Sequence, residues 1–193
     1  MSVMRLAALV TGSISFLLIV IGLAIPYWIY IVDKELLVPG LVTNITITTN
    51  IGFWDYCLSI ESYGVLHSEC GKFYESNRSD MTDASAAMLL IGMLMLAGSV
   101  AMCVTSTLCM KENKRLPIVG GVCTLFAGLC MLIGVALYGY EYREEILVGS
   151  VDLRDSHVYG PSFYMAIVAT ILALVSGNIQ IASQTVCTKH NIV

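Results

Sequence analysis

Charged residues are missing from four long stretches of this 193-residue chain: Leu6–Val32, Ala84–Met110, Leu116–Tyr140 and Val158–Thr188. Each exceeds the roughly 20 apolar residues that cross a bilayer as an α-helix. The chain is therefore expected to span a membrane four times. Composition agrees: 57% of residues are hydrophobic and 12% charged, where an ordinary soluble domain is about 25% charged. A net charge of −4 also lacks the basic footprint that nucleic-acid binding needs. The expected spans are about 6–30, 84–110, 116–140 and 159–186, in one domain covering 1–193. The first apolar run outlasts the roughly 7–15-residue core of a signal peptide and is expected to stay as an uncleaved helix.

The short segments between spans set the orientation. Residues 1–5, 111–116 and 187–193 hold five of the ten cations, Arg5, Lys111, Lys114, Arg115 and Lys189, but only one acid, Glu112. The other side holds five cations and thirteen of the fourteen acids, so it carries −8 against +4. The denser cationic side is expected in the cytoplasm. Segments 1–5, 111–115 and 187–193 are then cytoplasmic, and loops 31–83 and 141–158 extracellular. Two N-x-S/T tripeptides, at Asn44 and Asn77, fall in the first outer loop and are candidate glycosylation sites. Of seven cysteines, only Cys57 and Cys70 lie outside, where they can form a disulfide. Cys103, Cys123 and Cys130 read as packing residues within the spans. Cys109 and Cys187, near the inner interface, are candidate palmitoylation sites.

The first outer loop is too long for a plain connector. Ile45–Thr48 alternates with period two and is β-branched throughout. Leu36–Val42 reads as a hairpin turning at Pro39-Gly40. Ile51–Leu58, Val65–Cys70 and, in the second loop, Ile146–Leu153 are further strand candidates. The fold class is thus an all-α transmembrane four-helix bundle with a small extracellular antiparallel β-sheet. Within the spans, small residues recur every four positions: Ala8 and Gly12; Gly120, Thr124 and Gly128; Ala169, Ala173 and Gly177. Such rows let helices pack closely in lipid. Asn178 and Gln180 read as interhelical hydrogen-bonding residues. No ionisable residue lies mid-span, which argues against a pump or transporter.

Trp28, the run Gly52-Phe53-Trp54-Asp55-Tyr56-Cys57, and Cys70 together resemble the W…GLW-x-x-C…C signature of the claudin superfamily. That group includes claudins, peripheral myelin and epithelial membrane proteins, and calcium-channel gamma subunits. Phe53 stands where Leu is usual. Phe126–Cys130 and Tyr159–Tyr164 resemble segments of the epithelial-membrane and gamma-type branches, so the chain looks closer to those than to typical claudins. The resemblance implies a left-handed four-helix bundle capped by a five-stranded antiparallel sheet, which makes the expected fold claudin-like. In that frame Trp54 is expected to bury its ring where sheet meets helices, with Trp28 at the membrane boundary.

The residues give no support for an enzyme. His67, His157 and His190 have no Cys or His partner at metal spacing, and no phosphate loop, nucleophile elbow or H-E-x-x-H pattern occurs. No cofactor, metal or small-molecule substrate is expected. The leading expectation is a lateral partner of another membrane protein, an ion-channel or receptor auxiliary subunit of gamma type. Its helix bundle would bind the partner's helices. Its contacts would include an apolar tip, Leu36, Leu37, Val38, Leu41 and Val42, and the acidic Glu141, Glu144 and Glu145. The alternative is a claudin-like junction or adhesion protein that forms a paracellular barrier or a cation-selective pore with like chains.

Overall fold

A computed structural model describes residues 3–34, 45–62, 65–72, 79–108, 116–148 and 157–189. Four helices, α1 (Val3–Ala24), α2 (Asp80–Leu108), α3 (Leu116–Val148) and α4 (Pro161–Lys189), carry five strands at one end. These are β1 (Ile29–Lys34), β2 (Ile45–Ile51), β3 (Asp55–Ser62), β4 (Val65–Lys72) and β5 (His157–Tyr159). All four helices contain a segment long and apolar enough to cross a membrane: Val3–Ala24, Asp80–Ser106, Ile118–Glu141 and Pro161–Ser183.

Local chemistry sets the boundaries. α1 stops at Ala24 because Pro26 bars its neighbour from helical geometry. The uncharged run continues, but residues 29–32 belong to β1, so the first helix is shorter than the 6–30 expected. α2 opens on Ser79, whose hydroxyl accepts a bond from the Thr82 N–H at 3.2 Å, with Asp80 and Asp83 in the first turn favoured by the helix dipole. α4 opens on Pro161, a preferred first helical residue.

α3 departs most from expectation. It continues past residue 140 to Val148, so Ile146–Val148 is helical where a strand was expected. No Gly or Pro interrupts residues 140–148, so nothing local ends the helix at Tyr140. Among the described residues the second loop supplies a strand at His157–Tyr159, paired with Ile29–Ile31; the rest of the expected strand, 149–153, lies outside them. The expected strand Ile51–Leu58 is also divided: Ile51 ends β2, a turn follows at Gly52–Trp54, and β3 begins at Asp55. The expected Leu36–Val42 hairpin lies outside the described residues.

The sheet is antiparallel in the order β4-β3-β2-β1-β5. One row across it reads Cys70, Cys57, Asn50, Tyr30, Val158. The next row towards the helices runs Gly71, Tyr56, Ile51, Ile29, Tyr159 on the opposite face; Ile29 joins the core and Ile51 and Tyr159 pack against it.

In the bundle, all eight small residues singled out at four-residue spacing are buried. They pack inside the chain: Gly121 and Gly177 face each other across α3 and α4. Two helix pairs are also tied by hydroxyls. Ser15 donates to the Ala169 carbonyl at 2.6 Å and Ser176 to the Ala8 carbonyl at 2.7 Å, joining α1 to α4. Ser85 donates to the Gly134 carbonyl at 2.7 Å, joining α2 to α3. Ser99 donates to the Thr124 hydroxyl, which donates onward to the Gly120 carbonyl. Gln180 is buried, but Asn178 is exposed and its amide donates to Leu174 of its own helix. The interhelical bond expected of Asn178 is therefore replaced by a local one.

Candidate functional site

The superfamily-like residues converge where α1 meets the sheet. A helix leaves its last carbonyls without partners, and in a membrane protein an unmet carbonyl costs several kcal/mol, about the penalty of any buried unpaired polar group. Two indoles meet this need. Trp28 Nε1 donates to the Gly22 carbonyl at 2.7 Å and Trp54 Nε1 to the Leu23 carbonyl at 3.0 Å. The next carbonyl but one, Ile25, accepts the Ser162 hydroxyl at 3.3 Å. The Trp28 backbone N–H also reaches the Ile51 carbonyl at 2.9 Å, so one residue ties helix end to sheet through both backbone and side chain.

The two tryptophans exchange their expected places. Trp28 is 0% exposed, whereas Trp54 is 38% exposed. Around Trp28 stand Phe53 at 4.4 Å, Tyr138 at 5.0 Å and Phe163 at 6.0 Å between ring centroids, all edge-on. Phe53, 1% exposed, fills the centre that Trp54 was expected to fill. The turn Gly52–Trp54 projects Phe53 inward, leaving Trp54 at the rim with its N–H still on α1.

Two glycines let the backbones close this joint. A Cβ at Gly160 would lie 2.1 Å from the Tyr27 carbonyl oxygen, and one at Gly52 would lie 2.6 Å from Pro26 Cα. Gly160 N–H bonds to the Trp28 carbonyl at 2.8 Å. The segment before α4 thereby clasps the segment after α1.

Further out, Cys57 and Cys70 form the disulfide between β3 and β4. β4 is the outer strand, and every residue from Val65 to Cys70 is exposed. Glu141 lies on α3, where its carboxylate accepts the Thr82 hydroxyl of α2 at 2.8 Å; it stiffens a helix pair as well as adding charge. Glu144 and Glu145 belong to the α3 extension, and Cys187 to α4, with side chains outside the described residues. Asn44, Asn77, Cys109 and the tip residues Leu36, Leu37, Val38, Leu41 and Val42 also lie outside them. Among the described residues, no three His, Cys, Asp or Glu side chains gather as a metal site.

The hydroxyl ties and indole caps went unread in the sequence. Serines at 15, 85, 99, 162 and 176 inside otherwise apolar runs were the available signal, since a hydroxyl in lipid must find an acceptor.

A profile of the PMP-22/EMP/MP20/Claudin family matches residues 1–180. Claudin-5 of Homo sapiens is 30% identical over 149 residues, covering 73% of this chain and 66% of the relative. Claudin-19 of Mus musculus is 29% identical over 137 residues, covering 66% of this chain and 59% of the relative. The chain thus matches somewhat less than two thirds of the length of these relatives. Both are claudins, so the expected lean towards the gamma-subunit and epithelial-membrane branches gains nothing from them.

Proposed function

This chain belongs to the PMP-22/EMP/MP20/Claudin family, and from that premise we propose that it is a non-enzymatic plasma-membrane protein of cell contacts. Its sheet associates with like chains beside it and across the contact, forming a barrier or a cation-selective path between cells. The observation that carries this reading is similarity to Claudin-5 over 73% of the chain, joined to a disulfide-tied sheet standing on a four-helix bundle. The charge asymmetry supports the orientation with both termini in the cytoplasm and the acidic sheet outside. In that orientation Asn44 and Asn77 carry glycans, Cys109 and Cys187 lie near lipid for acylation, and the tip around Leu36–Val42 meets a neighbouring chain. The lateral-partner reading yields its lead, because the named relatives are claudins and no observation favours a channel partner.

Expression in cells that lack junction strands tests the proposal. Freeze-fracture microscopy should show continuous strands enriched at contacts between expressing cells. An even spread over the surface, without strands, would defeat it and return the lateral-partner reading to first place.

A further inference from the structure

The outer edge of β4 has no neighbouring strand among the described residues. Its hydrogen-bonding phase follows from its inner partner. Cys57 and Cys70 face each other with Cα atoms 4.1 Å apart, the close spacing of a non-hydrogen-bonded antiparallel pair. Cys70, and with it Ser68 and Leu66, therefore turn N–H and C=O outward, while His67 and Glu69 bond inward to β3.

His67 Nε2 and Glu69 Oε1 stand 3.8 Å apart, with 78% and 81% of their side chains exposed. As neighbours two apart on one strand, they share a face. Both are metal-ligating groups, and a small adjustment of two exposed side chains lets them hold one ion. No third ligand of the same chain joins them among the described residues. One chain offers half of a four-ligand site.

A second β4 supplies the rest. Antiparallel pairing has to match outward-facing residues with outward-facing residues. The register centred on Ser68 pairs Ser68 with its own copy and Leu66 with Cys70, making about six ladder hydrogen bonds. It also sets His67 of each copy opposite Glu69 of the other, in the positions where side chains approach most closely. Registers centred on His67 or Glu69 place like side chains opposite each other, and two facing carboxylates repel. The Ser68 register is the one that brings both His–Glu pairs face to face.

We infer that two copies of this chain pair through β4 in the Ser68-centred register and hold one Zn²⁺ ion between them through His67 and Glu69 of each copy. Two imidazole nitrogens and two carboxylate oxygens are a donor set that zinc accepts in tetrahedral geometry. The inference rests on the proposed association of like chains and adds to it a register and a metal.

The test uses the full-length protein, stripped of metal in detergent micelles, titrated with Zn²⁺ and weighed by native mass spectrometry. The expected product is a dimer with one zinc per two chains. His67→Ala or Glu69→Ala should raise the zinc needed for half-dimerisation by about 100-fold or more, since even outer-shell partners of a metal are worth roughly 10–100-fold. Exchanging the two, His67→Glu together with Glu69→His, rebuilds the same four ligands and should restore the dimer. An unchanged thermal midpoint and an intact Cys57–Cys70 bond show that each variant is folded. Zinc bound one per chain, a zinc-dependent dimer that survives His67→Ala, or no zinc-dependent dimer at all would overturn the inference. Strands in cells without a zinc dimer in micelles would sink this site and leave the junction reading standing. A zinc dimer without strands would sink the junction reading and keep the site.

Discussion

Trp28 at the base of the sheet is 0% exposed, while Leu66 on its outer strand is 68% exposed. Trp28 directly precedes β1 and Leu66 lies in β4, three strands away across the sheet. At the base, backbone groups, indole N–H groups and glycine contacts are fitted to one another. At the edge, a full strand presents its side chains and one set of backbone groups outward. Of the superfamily signature, Trp28, Gly52, Phe53 and Trp54 mark the joint that holds the sheet upright, while Cys57 and Cys70 tie its edge. The proposed contacts with like chains draw on the edge, not on the joint.

That contrast can be broken by mutation, and the expected effects fall off with distance from the joint. Trp28→Ala should cost the most, about 3–5 kcal/mol as for other buried Trp truncations, and it also strands the Gly22 carbonyl. Retention inside the cell, with no folded protein recovered for melting, is the expected readout. Cys57→Ser should follow at roughly 3 kcal/mol, the chain-entropy value for a short loop, closed here by cysteines 13 residues apart. A thermal midpoint in detergent equal to that of the unmodified chain would show that the ladder alone fixes β4. Trp54→Phe keeps a ring at the rim but removes the bond to Leu23, a loss of about 1 kcal/mol; if its melt matches wild type, the second indole cap is idle. His67→Ala should change the midpoint least, within about 0.5 kcal/mol as for exposed sites generally. A large drop there would mean the edge is part of the joint and erase the distinction between the two regions.

Much of this fold was legible in the chain. Four uncharged runs gave four helices because lipid admits few alternatives. Ile45–Thr48 gave a strand through its period of two. The boundaries were less legible, because absence of charge does not separate helix from buried strand: Ile29–Val32 is as apolar as α1 but lies in β1. The converse misled at α3, where Arg143, Glu144 and Glu145 read as a loop although the helix runs through them. Cys57 and Cys70 do form the disulfide that their place outside the spans allowed, but Trp28 and Trp54 were placed the wrong way round. Both are apolar rings with one N–H, and which is buried depends on how the Gly52–Trp54 turn faces Pro26, a contact between segments more than twenty residues apart in the chain. The serines themselves stand out in apolar runs, but the acceptor of each tie was illegible for a similar reason, since it lies on another helix.

Those ties carry a consequence for how the protein is made. Several partners of α1 and of the segment after it lie on α4, made after the other three helices: the Ser15 hydroxyl bonds the Ala169 carbonyl, the Ala8 carbonyl receives the Ser176 hydroxyl, and the Tyr27 carbonyl receives the Ser162 N–H. β5, which closes one flank of the sheet, directly precedes the same final helix. A nascent chain can insert three helices and form its disulfide while its first helix still waits for α4. Synthesis of α4 is thus read out physically, in a bundle whose first helix gains these ties only when its fourth arrives, and a chain halted before residue 157 presents an unpaired Ser15 hydroxyl, an unmet Tyr27 carbonyl and an open strand to the cell's quality control.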